Sequence, residues 1–188
     1  MTECTLSQEE KVYLLDVARS TLELYLKEGE YPKMKTDNVA LNEKRGAFVT
    51  LKEKGDLRGC IGRIVADMSL YEVVATVSVD AAINDPRFAA VTYDDLENIE
   101  IEISVLTPFE KIKSFDEIEV GTHGLLIRKG FYSGLLLPQV PGEYGWDKKT
   151  FLEHLCRKAG LPISAYMQKD TAIYKFSAIV FNESSFSK

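Results

Sequence analysis

The chain has no apolar run approaching the ~20 residues that cross a bilayer as a helix. It also has no internal repeat, no low-complexity block and no Pro/Gly/Ser-rich linker. A membrane-spanning helix, a solenoid and a string of tethered domains are therefore not expected. The opening, Met1-Thr2-Glu3-Cys4, lacks the basic start and apolar stretch of a secretory signal. The cysteines (Cys4, Cys60 and Cys156) are odd in number and widely spaced. They cannot complete a disulfide framework, and they suit a reducing, cytoplasmic setting. His123 and His154 are the only histidines, and no Cys-x-x-Cys pair is present. Neither a metal site nor a cofactor is expected from such ligands. With 23 Lys+Arg against 29 Asp+Glu, the net charge is −6. That sign opposes the basic footprint of a non-specific nucleic-acid binder.

What is present reads as one folded domain over residues 1–188, with 45% hydrophobic and 28% charged residues. Ser7 and Glu10 form a capping box at the start of a helix. Leu14, Leu15, Ala18, Leu22, Tyr25 and Leu26 give that helix one apolar face, and Gly29 stops it. Ala47, Val49 and Leu51 alternate with Phe48, Thr50 and Lys52 as in a strand. Glu53-Lys54-Gly55-Asp56 is a turn, and 57–64 returns as the partner strand. Ser69 and Glu72 begin a second helix over 70–83, apolar on almost every side and so expected to be buried; Asn84-Asp85-Pro86 ends it. Residues 99–105 alternate cleanly, with Glu100 and Glu102 facing water or flanking a basic group. A hairpin joined at Lys129-Gly130 follows, then a helix capped by Asp147, and a last strand over 173–181. Without regular βαβ alternation, the class is α+β, with a largely antiparallel sheet flanked by helices.

The segment Leu57-Arg58-Gly59-Cys60-Ile61-Gly62 holds the candidate chemistry. Strand alternation puts Leu57, Gly59 and Ile61 on one face and Arg58, Cys60 and Gly62 on the other. With the Leu/Ile face in the core, Cys60 sits beside Arg58 on a face left open by Gly62. A neighbouring guanidinium favours the thiolate, which points to a nucleophile or redox-sensitive thiol. The competing reading is a buried cysteine acting as a small hydrophobe, with glycines marking a bulge. Cys156 shares a helical face with Leu152 and Ala159 and belongs to the core; Cys4 lies in a tail.

His123, in Gly121-Thr122-His123-Gly124, can serve Cys60 as a base if the fold brings them together. His154 faces solvent. Asp85 and Arg87 flank a proline-fixed turn, where they form either a local ion pair or an anion site. The irregular connection Leu137-Pro138-Gln139-Val140-Pro141 through Trp146, with Gln139 as its polar candidate, is a further ligand wall.

Together these segments resemble the AMMECR domain family. The resemblance rests on Leu57–Gly62, Asn84-Asp85-Pro86-Arg87-Phe88, Ile103–Pro108, Gly121–Gly124, and Leu136–Val140 through Gly145-Trp146 to Gly160-Leu161-Pro162, in order along nearly the whole chain. It implies a single α+β domain with a larger and a smaller lobe and a groove between them. The family hallmark falls on Arg58, Gly59, Cys60 and Gly62. Prokaryotic proteins of this kind are often encoded beside Memo-family and radical-SAM proteins, which the resemblance offers as partners. Three scattered cysteines could not easily hold an iron–sulfur cluster. Two functions stay open. One is a thiol-dependent enzyme or small-molecule-modifying site, with Cys60 as nucleophile, Arg58 tuning it and His123 moving the proton. The other is a non-catalytic binding or scaffold domain.

Overall fold

The computed structural model describes residues 5–186; Cys4 lies outside the described residues. The chain divides into two compact units, one of residues 5–106 with 179–186 and the other of 107–178.

The first unit opens with α1 (Gln8–Glu28), whose N-terminus closes as a capping box. Ser7 Oγ accepts the Glu10 N–H at 3.2 Å, and the Glu10 carboxylate accepts the Ser7 N–H at 2.7 Å. Gly29 ends the helix at φ +74°, a left-handed conformation that only glycine adopts without cost. A single helical turn, α2 (Val39–Asn42), precedes strands β1 (Ala47–Glu53) and β2 (Asp56–Arg63). Their turn, Lys54-Gly55, has φ +51° and +90°, the two positive values of a type I′ turn, whose twist matches that of the strands it joins. α3 (Leu70–Ile83) buries Leu70, Val73, Val74, Val77, Val79, Ala81 and Ala82, nearly its whole circumference. β3 (Ile99–Leu106) buries Ile99, Ile101, Ile103 and Val105 along one face. α1 and α3 pack on each other and against this sheet. One sheet face, Val49 and Leu51 with Ile101 and Ile103, therefore forms the core.

The second unit contains β4 (Glu110–Lys111), β5 (Gly124–Lys129), β6 (Tyr132–Leu136), α4 (Val140–Glu143), α5 (Lys148–Lys158) and β7 (Ala172–Phe176). β8 (Ala178–Asn182) returns the chain to the first unit. The sheets run β2-β1-β3-β8 and β4-β7-β5-β6, and every strand pair with a described register is antiparallel. α5 covers the second sheet with Phe151, Leu152, Leu155 and Cys156. Cys156 is fully buried, as its helical spacing predicts, and burial pushes its thiol pKa up.

Several expectations are corrected. The single last strand of 173–181 is two strands in two sheets, divided at Ser177. There the Ser177 N–H donates to Thr107 Oγ1 and its carbonyl accepts the Thr107 N–H, both at 2.8 Å. Apolar residues lie on both sides of the division and no Gly or Pro stands at it, so nothing in the pattern marks it. The second hairpin turns at Gly130-Phe131, one residue later than expected, with Gly130 at φ +55°. The connection after β6 contains the turn of helix α4. His154 is not simply solvated: it is half-buried, its ring stacked on Trp146 at 3.9 Å between centroids. Trp146 in turn stacks on Tyr144.

Candidate functional site

Cys60 lies in the middle of β2, the edge strand of the first sheet. Its N–H points out of the sheet to Asp85 Oδ2 at 2.9 Å, and its carbonyl accepts from Arg87 Nη2 at 3.4 Å. The Cys60–Thr50 pair is therefore a non-hydrogen-bonded one, in which facing side chains stand closest. The Thr50 hydroxyl donates to Cys60 Sγ at 3.3 Å. Thr50 is opposite Glu102 on β3, so Cys60, Thr50 and Glu102 form one row across three strands. Lys52, on the same face, meets Glu102 at 2.8 Å. This answers which role the acidic face of β3 takes: Glu102 flanks a basic group. Glu100 shares the face, and its Oε1 is covered with no hydrogen-bond partner among the described residues.

The guanidinium at Cys60 is that of Arg87, not Arg58. A bulge between Leu51 and Lys52 in the β1–β2 pairing breaks the strict alternation that put Arg58 beside the thiol. Arg58 instead donates to the carbonyls of Ala89 and Ala90 at 2.5 and 3.3 Å. Arg87 and Asp85 form a forked pair, Nε to Oδ1 at 2.9 Å and Nη2 to Oδ2 at 2.7 Å. The Arg87 N–H adds a bond to Oδ1 at 3.1 Å. Held first by the Arg87 side chain and then by the Cys60 and Arg87 amides, the Asp85 carboxyl stays well below the ordinary carboxylate range. Asp85 in turn raises the Arg87 pKa. The Arg87 guanidinium also lies 5.4 Å from the Phe88 ring centroid.

The two hallmark glycines have packing roles. A Cβ on Gly59 would stand 2.1 Å from the Ala81 carbonyl oxygen, so its absence lets α3 approach the sheet. A Cβ on Gly62 would stand 2.3 Å from the Phe48 ring. The space beside Cys60 is thus filled by Phe48 rather than left open, a correction that side-chain alternation on one strand could not supply.

His123 belongs to the second unit. Its Nδ1 accepts the Glu119 N–H at 3.0 Å, so the neutral ring carries its proton on Nε2 and presents a donor there. Burial, and secondarily Lys175, lowers its pKa. Gln139, also in the second unit, is exposed at the N-terminus of α4, where its carbonyl accepts the Glu143 N–H. Thr50 and Lys52 were not singled out from the sequence, and Glu102 was placed only on a face that meets water or a basic group. The β1 and β3 alternations already put them on the polar face, but only the strand order aligns them with Cys60.

Among the described residues, no group of three or more His, Cys, Asp and Glu side chains could hold a metal ion, and no helix is long and apolar enough to cross a membrane. Fold and site define a mixed α/β protein with two antiparallel sheets and a partly exposed thiol on an edge strand. The AMMECR1 family model matches residues 15–181, and the chain belongs to that family. The protein MJ0810 of Methanocaldococcus jannaschii is 43% identical over 186 residues, covering 95% of this chain and 92% of its own. The protein MK0488 of Methanopyrus kandleri is 44% identical over 187 residues, covering 95% and 90%. The crystal structure of the uncharacterized protein PH0010 from Pyrococcus horikoshii matches with a TM-score of 0.76 at 42% identity, covering 91% of this chain and 90% of that one.

Proposed function

We propose that the polar face of the first sheet binds a small molecule and that Cys60 reacts with it as a nucleophile. The observation that carries this reading is the Thr50 hydroxyl donating to the Cys60 sulfur within a charged row. A hydroxyl aimed at sulfur fixes the direction in which the thiol faces a ligand held on the charged row. The Lys52–Glu102 pair and the unpartnered Glu100 oxygen offer a ligand both charge signs. A cytoplasmic, reducing setting would keep the thiol free. Iodoacetamide alkylation followed by peptide mapping tests the reading across pH. Cys60 should label in the native protein far faster than buried Cys156, and Thr50→Val should slow it several-fold. Equal labelling of the two cysteines, or no effect of Thr50→Val, counts against it.

A second reading has its own support. The His123 Nδ1 lone pair is already occupied by the Glu119 N–H, which favours a non-catalytic binding domain; the Memo-like and radical-SAM partners are those that the family resemblance implies. Reconstitution with such partners separates the two. If Cys60→Ser still associates but abolishes product, the chemistry is at the thiol; if product forms normally, the domain is a scaffold.

A further inference from the structure

A cavity of about 440 Å³ lies within the second unit, between the segment after β4 and the approach to β7. Lys111, Lys113 and Lys169 line it together with Phe115, Tyr166 and Met167, and no carboxylate does. In a chain of net charge −6, that segregation sets the cavity apart. The three lysines are exposed, and none forms an ion pair among the described residues. The neighbouring acids already have partners, two of them on the lining segment. Glu117 Oε1 accepts the Lys113 and Ser114 N–H groups at 2.8 and 3.1 Å and lies within electrostatic reach of Lys113. Glu110 and Glu117 face Lys175 at 4.0 and 3.8 Å, Asp170 pairs with Lys129, and Asp116 accepts from the Ser114 hydroxyl at 3.1 Å. Phe115 and Tyr166 meet edge to face, with centroids 5.5 Å apart, and Phe115 is 38% exposed. That arrangement leaves an aromatic surface open beside three ammonium groups outside any ion pair among the described residues.

The geometry points to a binding site for an aromatic phosphate of small-molecule size, its ring against Phe115 and Tyr166 and its phosphate among the lysines. The volume is in the range of small-molecule sites, and the lining joins an apolar wall to a few charged groups that fix orientation. Ammonium groups act on phosphate as point charges, and an aromatic wall supplies stacking area. The site lies on other residues than the Cys60 face and stands or falls independently of it.

Backbone NMR of the full-length protein, titrated to millimolar concentrations with phenyl phosphate, adenosine monophosphate, adenosine and inorganic phosphate, tests the assignment. At least one of the two esters should shift residues 111–115 and 166–171. Lys113→Glu/Lys169→Glu, at exposed positions where the fold tolerates change, should weaken binding by roughly tenfold or more, as should added salt. Phe115→Leu should weaken the esters and leave inorganic phosphate unchanged. Tighter adenosine monophosphate supports a nucleotide, and tighter phenyl phosphate supports a single-ring ligand. The assignment is overturned if neither ester shifts these residues or if the charge-reversed variant binds equally well. Adenosine or inorganic phosphate matching the esters would also overturn it.

Discussion

Replacing Asp85 by Asn tests whether this carboxylate ties the turn after α3 to the edge strand that carries Cys60. Asp85 is 5% exposed and accepts four hydrogen bonds, three from Arg87 and one from the Cys60 N–H. Asparagine nearly keeps the shape but removes the charge, and its amide N–H₂ group must face donors. Charge-assisted hydrogen bonds contribute about 1.5–3 kcal/mol net. The Arg87 side chain is 57% exposed, so water recovers part of that. A cost of about 2 kcal/mol remains, which for a chain of this size lowers Tm by about 4–8 °C. The pH dependence carries a sign. Asp85 is depressed in the folded state, so its stabilisation is complete above the unfolded carboxylate value of about 3.9 and is lost as pH falls toward the lower folded value. The Tm gap between wild type and Asp85→Asn should therefore be widest near neutrality and shrink in acid. Thermal unfolding by circular dichroism at several pH values measures it. A gap under about 1 °C at neutral pH, or one that widens in acid, would refute the latch.

Gly59→Ala should destabilise by at least about 1–3 kcal/mol, because the new methyl group meets backbone of α3 that no side-chain change can move. Gly62→Ala meets the Phe48 ring first, so Phe48→Ala should recover part of its loss; chemical denaturation of the double variant shows whether it does. The His123 ring should titrate below its ordinary value of about 6.5 by NMR, and Lys175→Gln should raise the midpoint. Because the unfolded ring takes up its proton first, this histidine removes stability as pH falls below about 6.5. A midpoint at or above that value would contradict the burial argument.

Local signals carried most of the fold. Ser7 and Glu10 announce α1 because a capping box is closed by residues three apart, and Lys54-Gly55 announces its hairpin because a two-residue turn needs its own backbone geometry. What stayed hidden depends on neighbours distant in the chain. Ser177 looks like one polar residue within a largely apolar strand until Thr107, 70 residues away, bonds to its backbone. The apolar stretch therefore reads as one strand although the chain leaves one sheet for another. Arg58 read as the partner of Cys60 because alternation assumes an unbroken ladder, and one bulge against β1 overturns that assumption. Cys60 itself was legible as a candidate. Its contact with Thr50, and through the row with Glu102, required knowing which strands lie side by side.

The edge position of β2 explains why Asp85 and Arg87 sit where they do. An edge strand leaves N–H and C=O groups unpaired, open to strand addition by another chain. At Cys60 both outward groups are taken, the N–H by the Asp85 carboxylate and the C=O by the Arg87 guanidinium. These side chains occupy the places that another strand's backbone would fill. The same two bonds hold the Cys60 backbone still, and a backbone held there presents the thiol to Thr50 on the other side of the ladder. Edge protection and thiol placement are thus one device. Loosening Asp85 should therefore disturb both together: Asp85→Asn should alter Cys60 alkylation at temperatures where the fold is intact, whereas an equally destabilising change elsewhere in the core should not.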